Sequence, residues 1–133
     1  MLFYTCQKEK NQMENPKVYK LKFYGTNYNI VLGKANYVNN GTLAVLMFVS
    51  TPKGKIKEDF GDLTQNIDDS DIFANAKDSQ FIDTNNLPSD IIKWLEDNDI
   101  AYEENGIYGH SGYCVYPLVK FTQQALDWMI ELK

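Results

Sequence analysis

The chain has 133 residues, a formal net charge of −5 and a hydrophobic content of 44%. This length fits one domain, and the apolar fraction is sufficient for a folded core, which excludes a disordered chain. All 13 basic residues are lysines. Without arginine the chain has no bidentate guanidinium contacts to guanine or phosphate, so we do not expect direct sequence-specific binding of nucleic acid.

The charge is divided unevenly along the chain. Residues 1–60 carry nine lysines and four acidic residues, whereas residues 61–133 carry four lysines and fourteen acidic residues. An acidic half repels nucleic acid and attracts basic protein surfaces. The same charges also serve as a solvated surface that aids solubility, and the sequence leaves these two interpretations open.

The longest apolar run, from Leu43 to Val49, is too short to span a membrane. No signal peptide is visible, so we expect a cytoplasmic protein without a membrane anchor. Cys6 and Cys114 are the two cysteines, and in a reducing compartment both are predicted to be free thiols.

Residues 1–15 lack periodicity and are predicted to form a flexible tail, so the single domain comprises residues 16–133. From Tyr19 onward apolar and polar residues alternate, which is typical of half-buried strands. The pattern of the first half predicts strands at 18–24, 28–33 and 43–49 and a polar edge strand at 56–67, separated by turns at Gly25–Asn27, Asn39–Gly41 and Thr51–Gly54.

The second half mixes strands and helices. Its pattern predicts short strands at 72–75 and 80–83, a helix at 88–98, a turn at Asn105-Gly106, a strand at 113–121 and a final helix. Thr122 is the expected N-cap of the final helix, whose apolar stripe is Leu126, Met129, Ile130 and Leu132. The element order lacks βαβ alternation, which predicts an α+β fold: a curved antiparallel β-sheet with two α-helices packed on one side.

His110 is the single histidine. A Ser-His-Asp triad with Ser111 and Asp83 is disfavoured, because neighbours in sequence rarely face each other in hydrogen-bonding geometry. Asn85 and Asn86, together with His110 and Ser111, remain a candidate loop site. The sequence lacks a zinc-ligand pattern, an EF-hand loop and a phosphate-binding glycine motif, so no cofactor or metal is predicted.

Nine tyrosines and a run of carboxylates favour a partner-binding surface, since tyrosine supplies rigid, amphipathic contact area. Strand alternation predicts Tyr113 and Val115 on one face and Cys114 and Tyr116 on the other. The candidate partner-binding residues are Asp68, Asp69, Asp71, Glu96, Asp97, Tyr102, Glu103, Glu104, Tyr108 and Tyr113. The oligomeric state is left open between a monomer and a homodimer.

Four blocks of the sequence resemble an uncharacterised family of small phage and mobile-element proteins from low-GC Gram-positive bacteria. They are Val31-Leu-Gly33, Asn40-Gly41, Asp83-Thr-Asn-Asn86 and Ser111-Gly-Tyr-Cys-Val-Tyr-Pro-Leu-Val-Lys-Phe121. The resemblance extends over about residues 17–121. The family has no agreed activity, so it implies no catalytic residue for this chain.

Three functional hypotheses follow. The first is a non-catalytic accessory protein that binds a protein partner, such as a basic nucleic-acid-binding effector, and inhibits host defence in the manner of anti-CRISPR or anti-restriction proteins. The second is a small enzyme that uses the Asn85/Asn86 and His110 loops. The third is a housekeeping accessory protein of a plasmid or conjugative element.

Overall fold

A computed structural model describes residues 16–67 and 77–132. The predicted tail at 1–15, the strand at 72–75 and the acidic residues Asp68, Asp69 and Asp71 lie outside these ranges. The described elements are β1 (Tyr19–Phe23), β2 (Thr26–Asn36), β3 (Leu43–Ser50), β4 (Ile56–Asp62), β5 (Thr64–Gln65), β6 (Ser79–Ile82), α1 (Ile91–Asp97), β7 (Ala101–Ser111), β8 (Cys114–Phe121), α2 (Gln123–Trp128) and β9 (Ile130–Glu131).

The described strands form two hydrogen-bonded sheets. The first has the order β1-β2-β3-β4, with β9 added in parallel to β2, and the second has the order β5-β6-β8-β7. All other pairings are antiparallel. The predicted α+β fold, with a curved antiparallel sheet and two helices, is confirmed.

The two sheets meet at Leu63 and Thr64, which we call the Leu63–Thr64 junction. The Leu63 N–H donates to the Val45 carbonyl of β3 at 3.0 Å, and the Leu63 carbonyl accepts from the Asp83 N–H at 2.9 Å. The Thr64 hydroxyl accepts from the Val45 N–H at 3.1 Å and hydrogen-bonds to the Tyr37 hydroxyl at 2.9 Å. Because both junction residues are buried, these bonds determine where the chain leaves the first sheet.

Both helices pack into one core. Apolar residues of β1, β2 and β3 meet residues of α1 and α2 there, and β8 contributes from the second sheet. The Trp94 indole N–H of α1 also donates to the Lys20 carbonyl at 2.7 Å, which holds α1 against β1. The largest fully buried members of this core are Ile30, Leu32, Met47, Leu63, Ile82, Ile91, Leu95, Ile100 and Phe121.

The central strand β3 is buried on both faces, as its continuous apolar run predicts. One face contributes Val45 and Met47 to the core with the helices. Ala44, Leu46 and Phe48 form a second buried cluster on the other face.

The C-terminal segment differs from the predicted helix. Thr122 is its N-cap as predicted, since the hydroxyl accepts from the Ala125 N–H at 3.1 Å. The helix, however, ends at Trp128, and β9 then pairs with β2 through Gly33 and Ile130. β1 pairs with this edge of β2 only as far as Ile30. β9 therefore supplies hydrogen-bond partners for the β2 backbone beyond that point, which another turn of helix would not do.

The turn predicted at Asn105-Gly106 lies inside a strand. β7 runs through it as one arm of a hairpin with β8, and the pairing register shifts between Glu103 and Tyr108. Gly106 has φ +80°, so it allows this irregularity without ending the strand. The turn of this hairpin is Gly112-Tyr113, and Gly109 belongs to β7.

The first hairpin has a two-residue turn in which both residues have positive φ, Tyr24 at +50° and Gly25 at +79°. The predicted turn at Gly25–Asn27 is therefore displaced by one residue, and β2 begins at Thr26. Such turns favour Asn-Gly. A tyrosine in this left-handed region costs about 1–2 kcal/mol, yet the Tyr24 side chain is 92% exposed, so little burial offsets the strain.

We predict that Gly109→Ala lowers the free energy of unfolding by about 1–3 kcal/mol through overpacking. A Cβ at this position would lie 2.8 Å from the Phe81 ring and 2.9 Å from Ile67. Urea denaturation measures the loss. Gly61→Ala is the matched control, since a Cβ on that strand glycine meets nothing within 4 Å. Equal effects of the two substitutions would contradict the close packing at Gly109.

Candidate functional site

The structure brings together five of the candidate partner-binding residues. Glu96 and Asp97 end helix α1, and Tyr102, Glu103 and Glu104 begin strand β7. The Glu103 N–H donates to Glu96 Oε2 at 3.3 Å. These five residues of the predicted partner-binding surface therefore lie together at this end of the second sheet.

A three-residue connection explains this proximity. The Ile100 N–H donates to the Leu95 carbonyl at 2.8 Å, so the chain folds back onto the last turn of α1. The Asp99 carbonyl accepts from the Thr122 hydroxyl at 2.8 Å, and the Thr122 N–H donates to the Ile100 carbonyl at 2.9 Å. These bonds hold the connection against the end of β8, so the acidic side chains project from a constrained backbone.

A cleft of about 460 Å³ opens beside this cluster. It lies between the start of β7 and the end of β8, and we call it the acidic cleft. Its charged lining consists of Asp78, Glu103, Glu104 and Lys120, and its aromatic lining of Tyr102 and Phe121. Sequence reasoning missed Asp78, which reaches the cleft because its carbonyl accepts from the Phe121 N–H at 2.7 Å.

The electrostatics of the acidic cleft are dominated by carboxylates. The hydrogen bond from the Tyr102 hydroxyl to Asp99 raises the pKa of Tyr102, and partial burial and the charges of Asp99 and Glu96 raise it further. Lys93 forms an ion pair with Asp97 at 2.6 Å. Lys120 is the cation that lines the cleft itself among the described residues, so the cleft retains a net negative charge.

Tyr108 and Tyr113 lie toward the other end of the β7–β8 hairpin. Tyr108 is 48% exposed, and the Tyr113 side chain is fully exposed at the turn. Val115 is exposed and Tyr116 is buried, as expected for residues on opposite faces of a strand, whereas Tyr113 lies in the turn before β8. Neither Tyr108 nor Tyr113 lines the acidic cleft.

The residues of the candidate loop site fall into two places. His110 and Ser111 end β7, where they pair with Val115 and Cys114. Asn85 and Asn86 belong to the loop between β6 and α1. Within the described ranges, no hydrogen bond joins His110 to either asparagine or to Ser111.

Asp83 shapes the loop that carries the two asparagines. Its carboxylate is 4% exposed and accepts from the Asn86 N–H at 3.3 Å and from the Asn86 amide at 3.0 Å. The side-chain amide of Asn86 therefore stabilises the loop through its hydrogen bond to Asp83. Asn85 instead points into a separate cleft that includes Tyr24.

Further carboxylates surround the Leu63–Thr64 junction. Partial desolvation raises the pKa of Asp62 although the residue is still exposed to solvent, and the charges of Asp83 and Asp59 add to this shift. Burial also raises the pKa of Tyr37, although its hydrogen bond with Thr64 opposes the shift. The charges at this junction therefore repel one another when they are ionised.

Residues 16–67 and 77–132, the described part of the chain, were searched for metal-binding groups and for membrane-spanning helices. No group of three or more His, Cys, Asp or Glu side chains is arranged to hold a metal ion there. No helix in those ranges is long and apolar enough to cross a membrane.

We predict that Asp62→Asn stabilises the protein near neutral pH. The pKa of Asp62 is raised above its ordinary value of 3.8, so the folded state holds this proton more tightly than the unfolded state. Stability therefore falls as the pH rises from about 3.8 through the raised pKa. Because the side chain is partly solvated, the gain at about pH 7 should stay below about 1 kcal/mol.

Chemical denaturation at about pH 7 and about pH 3.5 tests this sign. The gain should become much smaller at the lower pH, where Asp62 is mostly protonated in both states. The control is Glu58→Gln, which removes an exposed negative charge from the same strand. A loss of stability at neutral pH in Asp62→Asn would contradict the prediction.

Comparison with known proteins identifies one family. No curated protein and no solved structure matches the chain. A family model described as a domain of unknown function, DUF4313, matches residues 31–131. This range extends from within β2 to β9. It contains the whole lining of the acidic cleft, and the lining of the second cleft except for Phe23 and Tyr24. The chain therefore belongs to the DUF4313 family.

Proposed function

We propose that this protein is a non-catalytic, cytoplasmic binding protein whose acidic cleft engages a basic surface of a protein partner. The observation that carries the proposal is the convergence of carboxylates from α1, β7 and the 77–78 segment around one exposed tyrosine. Tyr102 is 46% exposed at this site.

The chemistry of the cleft favours a lysine or arginine side chain from the partner. A cation of this kind gains from the face of an exposed tyrosine ring, at about 0.5–1 kcal/mol, and from nearby carboxylates. Glu103 and Glu104 supply these carboxylates at the cleft, and Lys120 leaves part of their charge uncompensated.

The partner class that fits this surface is a basic nucleic-acid-binding effector. Such proteins present lysine- and arginine-rich channels that an acidic protein surface can occupy. If the chain is encoded on a phage or mobile element, inhibition of a host defence nuclease of the CRISPR or restriction type is the role that follows. The acidic charge of residues 61–133 supports binding to such a protein rather than to its nucleic acid.

The test compares two neutralised pairs of neighbouring carboxylates. Glu103→Gln with Glu104→Gln removes two charges from the acidic cleft, and Glu58→Gln with Asp59→Asn removes two from β4 of the first sheet. Each variant is titrated calorimetrically with an arginine-rich peptide. Each exposed ion pair contributes about 0.2–1 kcal/mol, so the cleft variant should weaken Kd by about two- to thirty-fold.

Salt and the control variant decide the outcome. Binding should weaken as added salt screens the charges, and the β4 variant should bind like the original protein. Equal weakening by both variants would mean that the peptide senses net charge alone, which contradicts a specific cleft. A substrate turned over by the protein, with turnover lost in His110→Ala, would instead favour the small enzyme.

A further inference from the structure

A second cleft, of about 570 Å³, lies apart from the acidic cleft. The β1–β2 turn forms one wall, and the loop from β6 to α1 forms the other. Its apolar lining is Phe23, Tyr24, Leu87 and Pro88, and its polar lining is Thr84, Asn85, Ser89 and Asp90. We call it the Tyr24 cleft. Its volume falls within the range of small-molecule sites.

Tyr24 is unusual in a way that folding does not explain. It occupies a left-handed turn position, with φ +50°, where Asn or Gly is favoured. The side chain is 92% exposed. Its ring packs against the ring of Phe23, with the two ring centroids 4.5 Å apart. Backbone strain that no stabilising contact offsets is a feature of functional sites.

The polar groups of this cleft are available to a ligand. Within the described residues, the side chains of Tyr24, Asn85, Ser89 and Asp90 make no hydrogen bond. Asp83 holds the neighbouring Asn86 by two hydrogen bonds, which fixes the loop that presents Asn85. The cleft thus combines an exposed aromatic face with several uncommitted donors and acceptors.

The charge of the cleft limits the class of ligand. Its lining has no cation, which disfavours phosphates and other anions. Asp90 is its one carboxylate, and this residue is exposed. A cationic ligand would therefore gain a single solvent-screened ion pair, which contributes little to binding.

We propose that the Tyr24 cleft binds a neutral polyhydroxylated ligand, such as a sugar ring. The C–H face of the ring would stack on Tyr24, and its hydroxyls would pair with Asn85, Ser89 and Asp90. Such a ligand uses the apolar and the polar lining together without requiring a charge. This site is independent of the acidic cleft and of the function proposed for it.

The test uses the full chain, NMR amide shifts and a panel of methyl glycosides of glucose, galactose, mannose and N-acetylglucosamine. At least one glycoside should cause saturable shifts confined to residues 23–25 and 84–90. Choline and inorganic phosphate serve as cationic and anionic probes. Failure of every glycoside, or saturable shifts in this cleft with choline or phosphate alone, would overturn the proposal.

Tyr24→Asn separates a binding role from a structural role. Asparagine tolerates the left-handed turn, so the variant should melt a few degrees higher than the original protein, while its glycoside affinity should fall at least tenfold. Val38→Asn is the control, because Val38 is another exposed apolar turn residue, at 70% exposure, and lies outside the cleft. A lower melting temperature for Tyr24→Asn, or unchanged glycoside affinity, would contradict the proposal.

Discussion

The Leu63–Thr64 junction is the constraint on which the rest of the structure depends. Here one backbone passes from the first sheet to the second, and its polar groups are shared among β3, Tyr37 and the start of the Asp83 loop. An unpaired buried hydrogen-bonding group costs about 1–3 kcal/mol, so the chain has few alternatives at this point. The junction thereby sets the place of β6, against which β8 and then β7 pair.

Helix α1 connects the two clefts. Asp90, immediately before its first residue, lines the Tyr24 cleft, and Glu96 near its end accepts from Glu103 beside the acidic cleft. Seven helical residues rise by about 10 Å, so the clefts are separate but rest on one short element. Packing of Trp94 against Tyr19, with ring centroids 6.0 Å apart, supports that element from β1.

Local signals in the sequence were sufficient for much of the fold but not for its long-range pairings. The apolar run of β3 and the hydroxyl of Thr122 act through nearby residues, and both predictions are confirmed. β9 was missed because its partner, Gly33, lies almost a hundred residues earlier in the chain. Glu103 and Glu104 of the acidic cleft were named from composition. Asp78 and Tyr24 were missed, although a Tyr-Gly pair between two alternating runs is a signal of an unusual hairpin turn.

The uneven charge of the sequence is reflected only in part in the fold. Exposed lysines lie on or beside the outer strands β1 and β4 of the first sheet, at Lys17, Lys20, Lys22, Lys53, Lys55 and Lys57, but β4 also carries the exposed carboxylates Glu58, Asp59 and Asp62. The carboxylates of the acidic cleft lie instead on α1, β7 and the segment before β6. A separation of this kind orients an approaching charged partner before contact, and salt weakens that orientation. For the basic partner proposed above, the lysines on and beside β1 would be repulsive and the carboxylates of the acidic cleft attractive, so charge would favour docking at that cleft over adhesion to the whole surface.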